Sequence, residues 1–485
     1  MKRYLIQTFG CQMNMHDSRR IEEVLGAHGY SATDEAELAD LILVNTCSVR
    51  EKAEHKLMSL LGTLRPLKDA RPGVLLAVAG CVAQQEGERL LRKAPYVDVV
   101  IGPDNIPELP SLVRAAEGGA PPAVRTVFDM DTPSFLHATP RGLGREVTAF
   151  VTVMKGCDER CTYCVVPHTR GPERYRAAGD IVDEVARLVD GGVREVTLLG
   201  QTVNSWYEPG EGQRSRLEAS RSAFPALLRR IAREVPGLAR LRYTSPHPRH
   251  LTDALVAAHA ELDVLPRHVH LPAQSGSDAV LRRMSRRYTA TEYLDRVGRL
   301  RGACPGLTLS TDLIVGFPGE TDADFEATLA LVRSAGVVSA FCFMYSPRPN
   351  TPALVFGDDV PDEVKQARLA RLFEVTEAQQ AAHLASLVGS EQEVLVERRS
   401  AGRDASPAHA RFTGRSGRHE LVHFDAAPGL DPIGQLVRVT ITEAYGHSLG
   451  AQARDLEGQA AGFVARSAPA RPRPVRLPVV TGGSA

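Results

Sequence analysis

The sequence holds eight cysteines, and six of them fall into two sets of three. One set is compact: Gly156-Cys157-Asp158-Glu159-Arg160-Cys161-Thr162-Tyr163-Cys164, a C-x3-C-x2-C run. A loop this short can offer three thiolates to three corners of an iron–sulfur cubane, which leaves the fourth iron open to a small ligand. Tetrahedral zinc asks for four ligands. No fourth cysteine is near, and His168 is the neighbouring candidate, so zinc stands as the alternative. The other set, Cys11, Cys47 and Cys81, is dispersed, with steps of 36 and 34 positions. Each of these follows an apolar run. Cys304 and Cys342 sit in apolar or helix-end settings and read as structural.

Dispersed thiols do joint chemistry only if the chain gathers them. Arg3–Phe9, Leu41–Asn45 and Leu75–Ala79 read as strands, with helical stretches between them such as Ser18–Ala27, where Ile21, Val24 and Leu25 share a face. Val97–Ile101 reads as a fourth strand. Alternating strand and helix implies a parallel sheet in an α/β domain. Loops after parallel strands share the carboxyl edge, where such sheets bind ligands. Three cysteines in successive units therefore predict a second three-cysteine cluster.

Residues 117–146 collect Gly, Pro and Ala without periodicity and read as a linker. The strand–helix rhythm resumes with Ala149–Met154, Glu195–Leu199, Arg240–Thr244, Arg267–Leu271, Leu307–Val315 and Val338–Met344. Amphipathic helices lie between, around 180–190, 223–234, 250–260, 291–302 and 320–335. Six such units predict a partial TIM-type (β/α)6 barrel, with the Cys157 loop at the end where barrel active sites form. A helix over 361–388 follows. Val394–Val396, Leu421–Phe424, Leu436–Thr442 and Ala451–Arg454 then read as short strands of a small C-terminal β-barrel. The end, Ala468–Ala485, is rich in Pro and Arg and reads as a disordered tail.

A length of 485 residues suits about three domains. No apolar run approaches the ~20 residues of a membrane-spanning helix, and Met1–Gly10 reads as a strand rather than a signal peptide. A cytoplasmic protein with unoxidised thiols is expected. The balance of 58 basic against 58 acidic residues, taken over the whole chain, argues against nucleic acid. It is a cancellation. Residues 221–250 carry seven Arg against one Glu, and 267–301 eight Arg against three acids, whereas 303–397 carry fourteen acids against five bases. Phosphate binding depends on such local fields. Only seven of the 58 basic residues are lysine, so arginine abundance reflects composition and no single arginine stands out.

Taken together, the motifs resemble the radical S-adenosylmethionine (SAM) methylthiotransferase family. They are Thr8-Phe9-Gly10-Cys11-Gln12-Met13-Asn14, Asn45-Thr46-Cys47-Ser48-Val49-Arg50-Glu51-Lys52-Ala53, Gly80-Cys81-Val82-Ala83-Gln84, the Cys157–Cys164 loop with Val165-Val166-Pro167, Leu198-Leu199-Gly200-Gln201, His270-Leu271-Pro272-Ala273-Gln274-Ser275-Gly276-Ser277 and Asp312–Thr321. The resemblance spans about residues 1–450. It implies a multidomain α/β chain: a methylthiotransferase N-terminal domain at 1–118, a linker at 119–142, a radical SAM core at 143–376, a TRAM domain at 377–450 and a tail at 451–485. The Cys47 segment is similar to the branch acting on N6-dimethylallyladenosine in tRNA. Siblings that modify threonylcarbamoyladenosine or a ribosomal protein differ there. Departures are His168 for Tyr, Ala273 for Val, and Pro347-Arg348-Pro349-Asn350 for A-R-P-G, none at a proposed cluster ligand.

The resemblance also implies chemistry. Cys157, Cys161 and Cys164 would hold one [4Fe-4S] cluster with SAM on its open iron, and Cys11, Cys47 and Cys81 a second that holds or supplies sulfur. SAM would serve as both radical source and methyl donor, because an acid or base cannot activate C2 of adenine. Tyr163, Gly200, Gln201, Gln274, Ser275 and Gly276 would line the cofactor site. The TRAM domain would bind RNA, with Arg411-Phe412-Thr413-Gly414-Arg415-Ser416-Gly417-Arg418 as its RNA-facing loop and Phe412 as a stacking residue. Expected partners are tRNA bearing dimethylallyl-modified adenosine at position 37 and an electron donor of flavodoxin or ferredoxin type, with no membrane and a monomeric state. A noncatalytic iron–sulfur RNA-binding protein is the reading from another class.

Overall fold

A computed structural model describes residues 2–48, 52–130, 135, 146–209, 222–400, 410–426 and 430–453. The chain forms two compact units, Met1–Leu136 with His168–Gly171, and His137–Pro167 with Pro172–Arg466; residues 454–485 lie outside the described residues.

In the first unit six parallel strands form one sheet in the order β2-β1-β3-β4-β5-β6, where β1 is Lys2–Phe9, β2 Tyr30–Ala32, β3 Leu41–Thr46, β4 Leu75–Gly80, β5 Val99–Ile101 and β6 Ala123–Arg125. Strands β3 and β4 are buried along their whole length, as expected of parallel strands covered on both faces. Alternate residues feed two cores. Ile42 and Val44 pack with Leu57 and Leu61 on one side, and Leu41 and Leu43 pack with Ile21 and Leu25 on the other. The edge strands β2 and β6 are additions to the expected pattern. Strand β6 falls inside the stretch read as a linker, because three residues are too few to show a period yet enough to pair with β5.

The register positions the cysteines. Phe9 pairs with Thr46, and Thr46 with Gly80, so the three strand ends lie level across β1, β3 and β4. Cys11, Cys47 and Cys81 follow those ends by two residues, one and one.

In the second unit β7 (Thr148–Thr152) is followed by a short antiparallel pair, β8 (Met154–Lys155) with β9 (Arg174–Tyr175). Five more parallel strands come next: β10 (Glu195–Leu199), β11 (Arg240–Tyr243), β12 (His268–His270), β13 (Thr308–Val315) and β14 (Val337–Met344). They pair as two three-stranded sheets, β11-β10-β7 and β12-β13-β14, over one shared core. Where the sheets meet, the Leu241 amide bonds the Val264 carbonyl instead of β12. The helices Ala290–Ala303 and Asp322–Ala335 each begin with a capping box, Thr289/Glu292 and Thr321/Asp324. Cys304 and Cys342 belong to the packing of this core, as expected.

Helix Asp362–Ser386 leads to a closed barrel of β15 (Glu391–Arg399), β16 (Ala410–Ser416), β17 (Leu421–Ala426), β18 (Leu436–Ala444) and β19 (Leu449–Ala453) in the order β15-β16-β17-β19-β18. The structure corrects one expectation here. Arg411–Ser416 is strand rather than loop, and Phe412 is fully buried, stacked on Phe424 with centroids 6.1 Å apart. Alternation along β16 turns this aromatic inward, so it is closed to RNA bases. The tail beyond Ala453 lies outside the described residues.

The turn after β16 is also committed elsewhere. Buried Arg240 donates to the carbonyls of Arg415 (2.7 Å), Ser416 (3.2 Å) and Glu393 (3.1 Å), and Arg242 to Ser416 (3.3 Å). His419 stacks on His268 at 5.6 Å. Residues 416–420 thus form a floor beneath the amino ends of β11 and β12. Arg240, Arg242 and Arg286, counted among the basic stretches, are buried structural groups and not phosphate contacts.

One histidine of this core makes stability depend on pH. His259 Nε2 lies 2.6 Å from the Tyr243 hydroxyl, and burial lowers its pKa from an ordinary 6.5 to about 4. Between those values the unfolded chain takes up a proton that the folded chain refuses, so stability falls as pH drops from 6.5 and is fully present above it. The loss by pH 4 is on the order of 3 kcal/mol. Urea midpoints at pH 7, 6, 5 and 4 should fall accordingly, and His259→Asn should flatten that slope.

Candidate active site

The first cysteine site is built by two glycines and two asparagines. At Gly10 (φ +141°) a side chain would meet Cys47 Cβ at 2.5 Å, and at Gly80 (φ +94°) it would meet the Thr46 carbonyl at 2.6 Å. Glycine alone adopts these conformations freely, which lets the strand ends close on one another. Beneath them Asn14 and Asn45, both fully buried, bond reciprocally: Asn14 Nδ2 donates to Asn45 Oδ1 (3.1 Å), and Asn45 Nδ2 to the Asn14 carbonyl and Ser18 Oγ (2.9 Å each). The Cys11 thiol donates to Asn14 Oδ1 at 3.3 Å.

Of the dispersed thiols, Cys11 and Cys47 lie within hydrogen-bonding reach of each other, and Cys81 shares the charge of Arg170 with Cys11. A hydrogen bond with Cys47 lowers the Cys11 pKa to about 6 against the opposing effect of burial, aided by the charge of Arg170. Burial raises that of Cys81, partly offset by Arg170, which also hydrogen-bonds it. Arg170 is itself buried and donates to Asp17 Oδ2 at 2.6 Å. Burial works against its charge, yet Asp17, Cys81 and Cys11 together hold it firmly protonated.

The second site follows β7. The Gly156 amide donates to Gln201 Oε1 (2.5 Å), and Cys157 Sγ lies 2.9 Å from Thr202 Oγ1. Thr162 anchors the far side through the Arg283 carbonyl (2.8 Å) and the Met284 carbonyl (3.1 Å). Arg286 Nη1 donates to Cys161 Sγ at 3.4 Å, and its guanidinium lies over the Tyr288 ring. Burial, reinforced by the neighbouring cysteines, pushes Cys164 up to about 12 and Cys157 well above its ordinary value. Cys157 and Cys164 thus resist becoming bare thiolates, whereas a metal centre removes the protons outright. This donor set therefore suits an iron–sulfur cluster. His168, the fourth ligand of the zinc alternative, is exposed.

The expected cofactor residues divide. Gln201 is held by Gly156 and keeps Nε2 buried without a hydrogen-bond partner among the described residues. Gly200 lets the turn approach Met154, whose Cγ would lie 2.5 Å from an added Cβ. Gln274 adopts φ +69° and pairs through its backbone with β13, its amide donating to the Asp312 carbonyl at 2.8 Å. Ser275 Oγ accepts from the Ser277 amide (3.1 Å) and lies 3.2 Å from Thr328 Oγ1. At Gly276 a side chain would meet Thr328 Cα at 2.6 Å, so these two residues seat helix Asp322–Ala335. Tyr163 packs against the cluster of Val280, Met284, Phe317 and Tyr345.

Family models match three segments: uncharacterized protein family UPF0004 at residues 3–102, the radical SAM superfamily at 151–332 and the TRAM domain at 385–453. A tRNA-2-methylthio-N(6)-dimethylallyladenosine synthase of Sorangium cellulosum (strain So ce56) is 58% identical over 498 residues, covering 99% of each chain. The chain belongs to this synthase family. Synthases of the same name from Acidithiobacillus ferrooxidans (strain ATCC 53993 / BNL-5-31) and Anaeromyxobacter sp. (strain K) are 48% and 49% identical, covering 93% and 92% of this chain and 97% and 93% of theirs.

As a member of the synthase family the chain is an enzyme of the radical SAM type, dependent on iron–sulfur and SAM chemistry. Among the described residues no helix is long and apolar enough to cross a membrane. The sequence did not mark Thr202, Arg286, Asp17 or Arg170 as parts of a synthase site. Arg170 and Arg286 are hidden among many arginines, and only the fold shows which are buried beside sulfur. Asn14 and Asn45 stood inside the quoted motifs, where the signal was adjacency to Cys11 and Cys47.

Proposed function

We propose that the chain transfers a methylthio group to C2 of N6-dimethylallyladenosine at position 37 of tRNA, with the two cysteine sets as the sites of two [4Fe-4S] clusters. The observation that supports this reading is membership of this synthase family together with the compact Cys157–Cys164 loop and three further cysteines just beyond the level ends of β1, β3 and β4. Cys157, Cys161 and Cys164 would hold the SAM-binding cluster, and Cys11, Cys47 and Cys81 the cluster that handles sulfur. When bound, the first cluster and SAM supply a 5′-deoxyadenosyl radical, the reagent able to take hydrogen from the unreactive C2 carbon.

The protein's own groups prepare this chemistry. Thr202 steadies Cys157, and Arg286 places positive charge against Cys161. Gln201 presents its free amide donor to a polar ligand. Around the other set, Arg170 offsets the charge of Cys11 and Cys81 while Asp17 holds the guanidinium in place. Tyr163, Gly200, Gln274, Ser275 and Gly276 shape the SAM site through turn geometry and packing. A flavodoxin- or ferredoxin-type donor supplies electrons to the monomeric enzyme. The functional divisions are 1–118, 143–376 and 377–450.

The test is anaerobic reconstitution with iron and sulfide, followed by SAM, reductant and prenylated tRNA, with nucleoside mass spectrometry. The 2-methylthio product is expected. Fully loaded protein that forms 5′-deoxyadenosine yet leaves the tRNA unmodified would overturn the substrate assignment.

A further inference from the structure

Glu159 stands between two cysteines of the compact set, and its carboxylate is buried. Its Oε1 accepts from His250 Nε2 at 2.8 Å, with Arg249 Nη1 at 3.6 Å. His250 closes the short turn Pro248–His250 after β11. That turn is itself locked: the His247 amide donates to Asn204 Oδ1 (2.8 Å), and Asn204 Nδ2 to the His247 carbonyl (3.0 Å). Asn204 belongs to the turn that carries Gln201 and Thr202. The loops after β7, β10 and β11 are thus tied in a ring by Gln201–Gly156, Asn204–His247 and His250–Glu159. Removing the last link leaves the middle of the cysteine loop with only Arg249 at 3.6 Å and the two Asp158–Glu173 bonds of 3.3 Å to hold it.

Glu159, His247 and His250 are also the set of three ligand-type side chains, among the described residues, whose atoms lie within 4.8 Å of one another. Their hydrogen bonds argue against a metal ion there. His247 Nδ1 accepts from the Arg249 amide at 3.2 Å, so Nε2 carries the hydrogen and cannot bind a cation. Arg249 adds positive charge at the carboxylate.

We propose that Glu159 and His250 are positioning residues, an exchangeable buried pair that fixes the loop carrying Cys157, Cys161 and Cys164 for SAM-dependent chemistry. The assignment rests on the proposed role of those cysteines but not on the tRNA substrate. Glu159→Gln, His250→Asn and the exchanged double variant Glu159→His/His250→Glu are compared with the parent as reconstituted full-length enzymes. The readouts are iron release to a chelator and the change in the reduced cluster's electron paramagnetic resonance spectrum on adding SAM. Each single variant should speed release of the labile iron about tenfold and blunt the SAM-induced change, because one partner of a buried pair is left unmatched. The exchanged variant should restore both to within about twofold of the parent. Circular dichroism checks that each variant folds, and Glu159→Gln, nearly isosteric, serves alone should His250→Asn fail. Parental behaviour of the single variants overturns the proposal, as does an exchanged variant no better than the singles. A bound zinc ion, lost in both singles, would overturn it in favour of a metal site. Because no readout uses tRNA, failure here is separate from failure of the substrate assignment, which would leave the iron measurements unchanged.

Discussion

Replacing Cys157, Cys161 and Cys164 together with alanine is expected to abolish formation of 5′-deoxyadenosine from SAM. Replacing Cys11, Cys47 and Cys81 should preserve that cleavage while stopping methylthio product. The contrast follows from where the thiols lie: each set is joined by its own electrostatic contacts, and each has its own arginine, Arg286 for the first and Arg170 for the second. Removing three thiolates would take away the proposed ligands of one cluster and leave the other donor set chemically complete. Chromatography of SAM-derived nucleosides and mass spectrometry of tRNA digests separate the outcomes. Normal methylthio product from the Cys11/Cys47/Cys81 variant would end the two-cluster reading.

The second large effect concerns stability. Glu195 is the buried carboxylate between Arg242 Nε at 2.9 Å and Arg240 Nη1 at 3.9 Å. Those two arginines both hold the start of the Ser416–Glu420 turn through the Ser416 carbonyl. Glu195→Gln keeps the volume and removes the charge, stranding two buried cations on one strand. The expected cost is about 3–5 kcal/mol, the usual result of leaving one side of a buried ion pair unmatched. Urea denaturation measures it, and limited proteolysis should show earlier cleavage around the barrel of β15–β19. A loss below about 1 kcal/mol would mean that the arginines are satisfied by carbonyls alone.

Much of this was legible in the residues. Cys157, Cys161 and Cys164 announce themselves because their spacing is local. Cys11, Cys47 and Cys81 required one further step, that parallel strands share a carboxyl edge, and the register Phe9–Thr46–Gly80 bears that step out. Phe412 was misplaced for a physical reason. The surrounding arginines and glycines suggest a loop, yet pairing with β15 on one side and β17 on the other makes a strand of them, and a lone aromatic does not show which way it faces. Arg240 and Arg242 misled similarly, because charge counted along a chain does not separate surface from interior. The Glu159–His250 pair spans 91 positions, and no local pattern links them.

The level strand ends carry a consequence for how the enzyme matures. Cys157–Cys164 can gather iron as a short peptide, since closing so small a loop costs little entropy. Cys11, Cys47 and Cys81 share no site until β1, β3 and β4 have docked in register, and pairings so distant in sequence form late. If each set holds a cluster as proposed, one could be a guest of the nascent chain, while the other must wait for a finished sheet. Its occupancy becomes a certificate that the amino-terminal half has folded correctly.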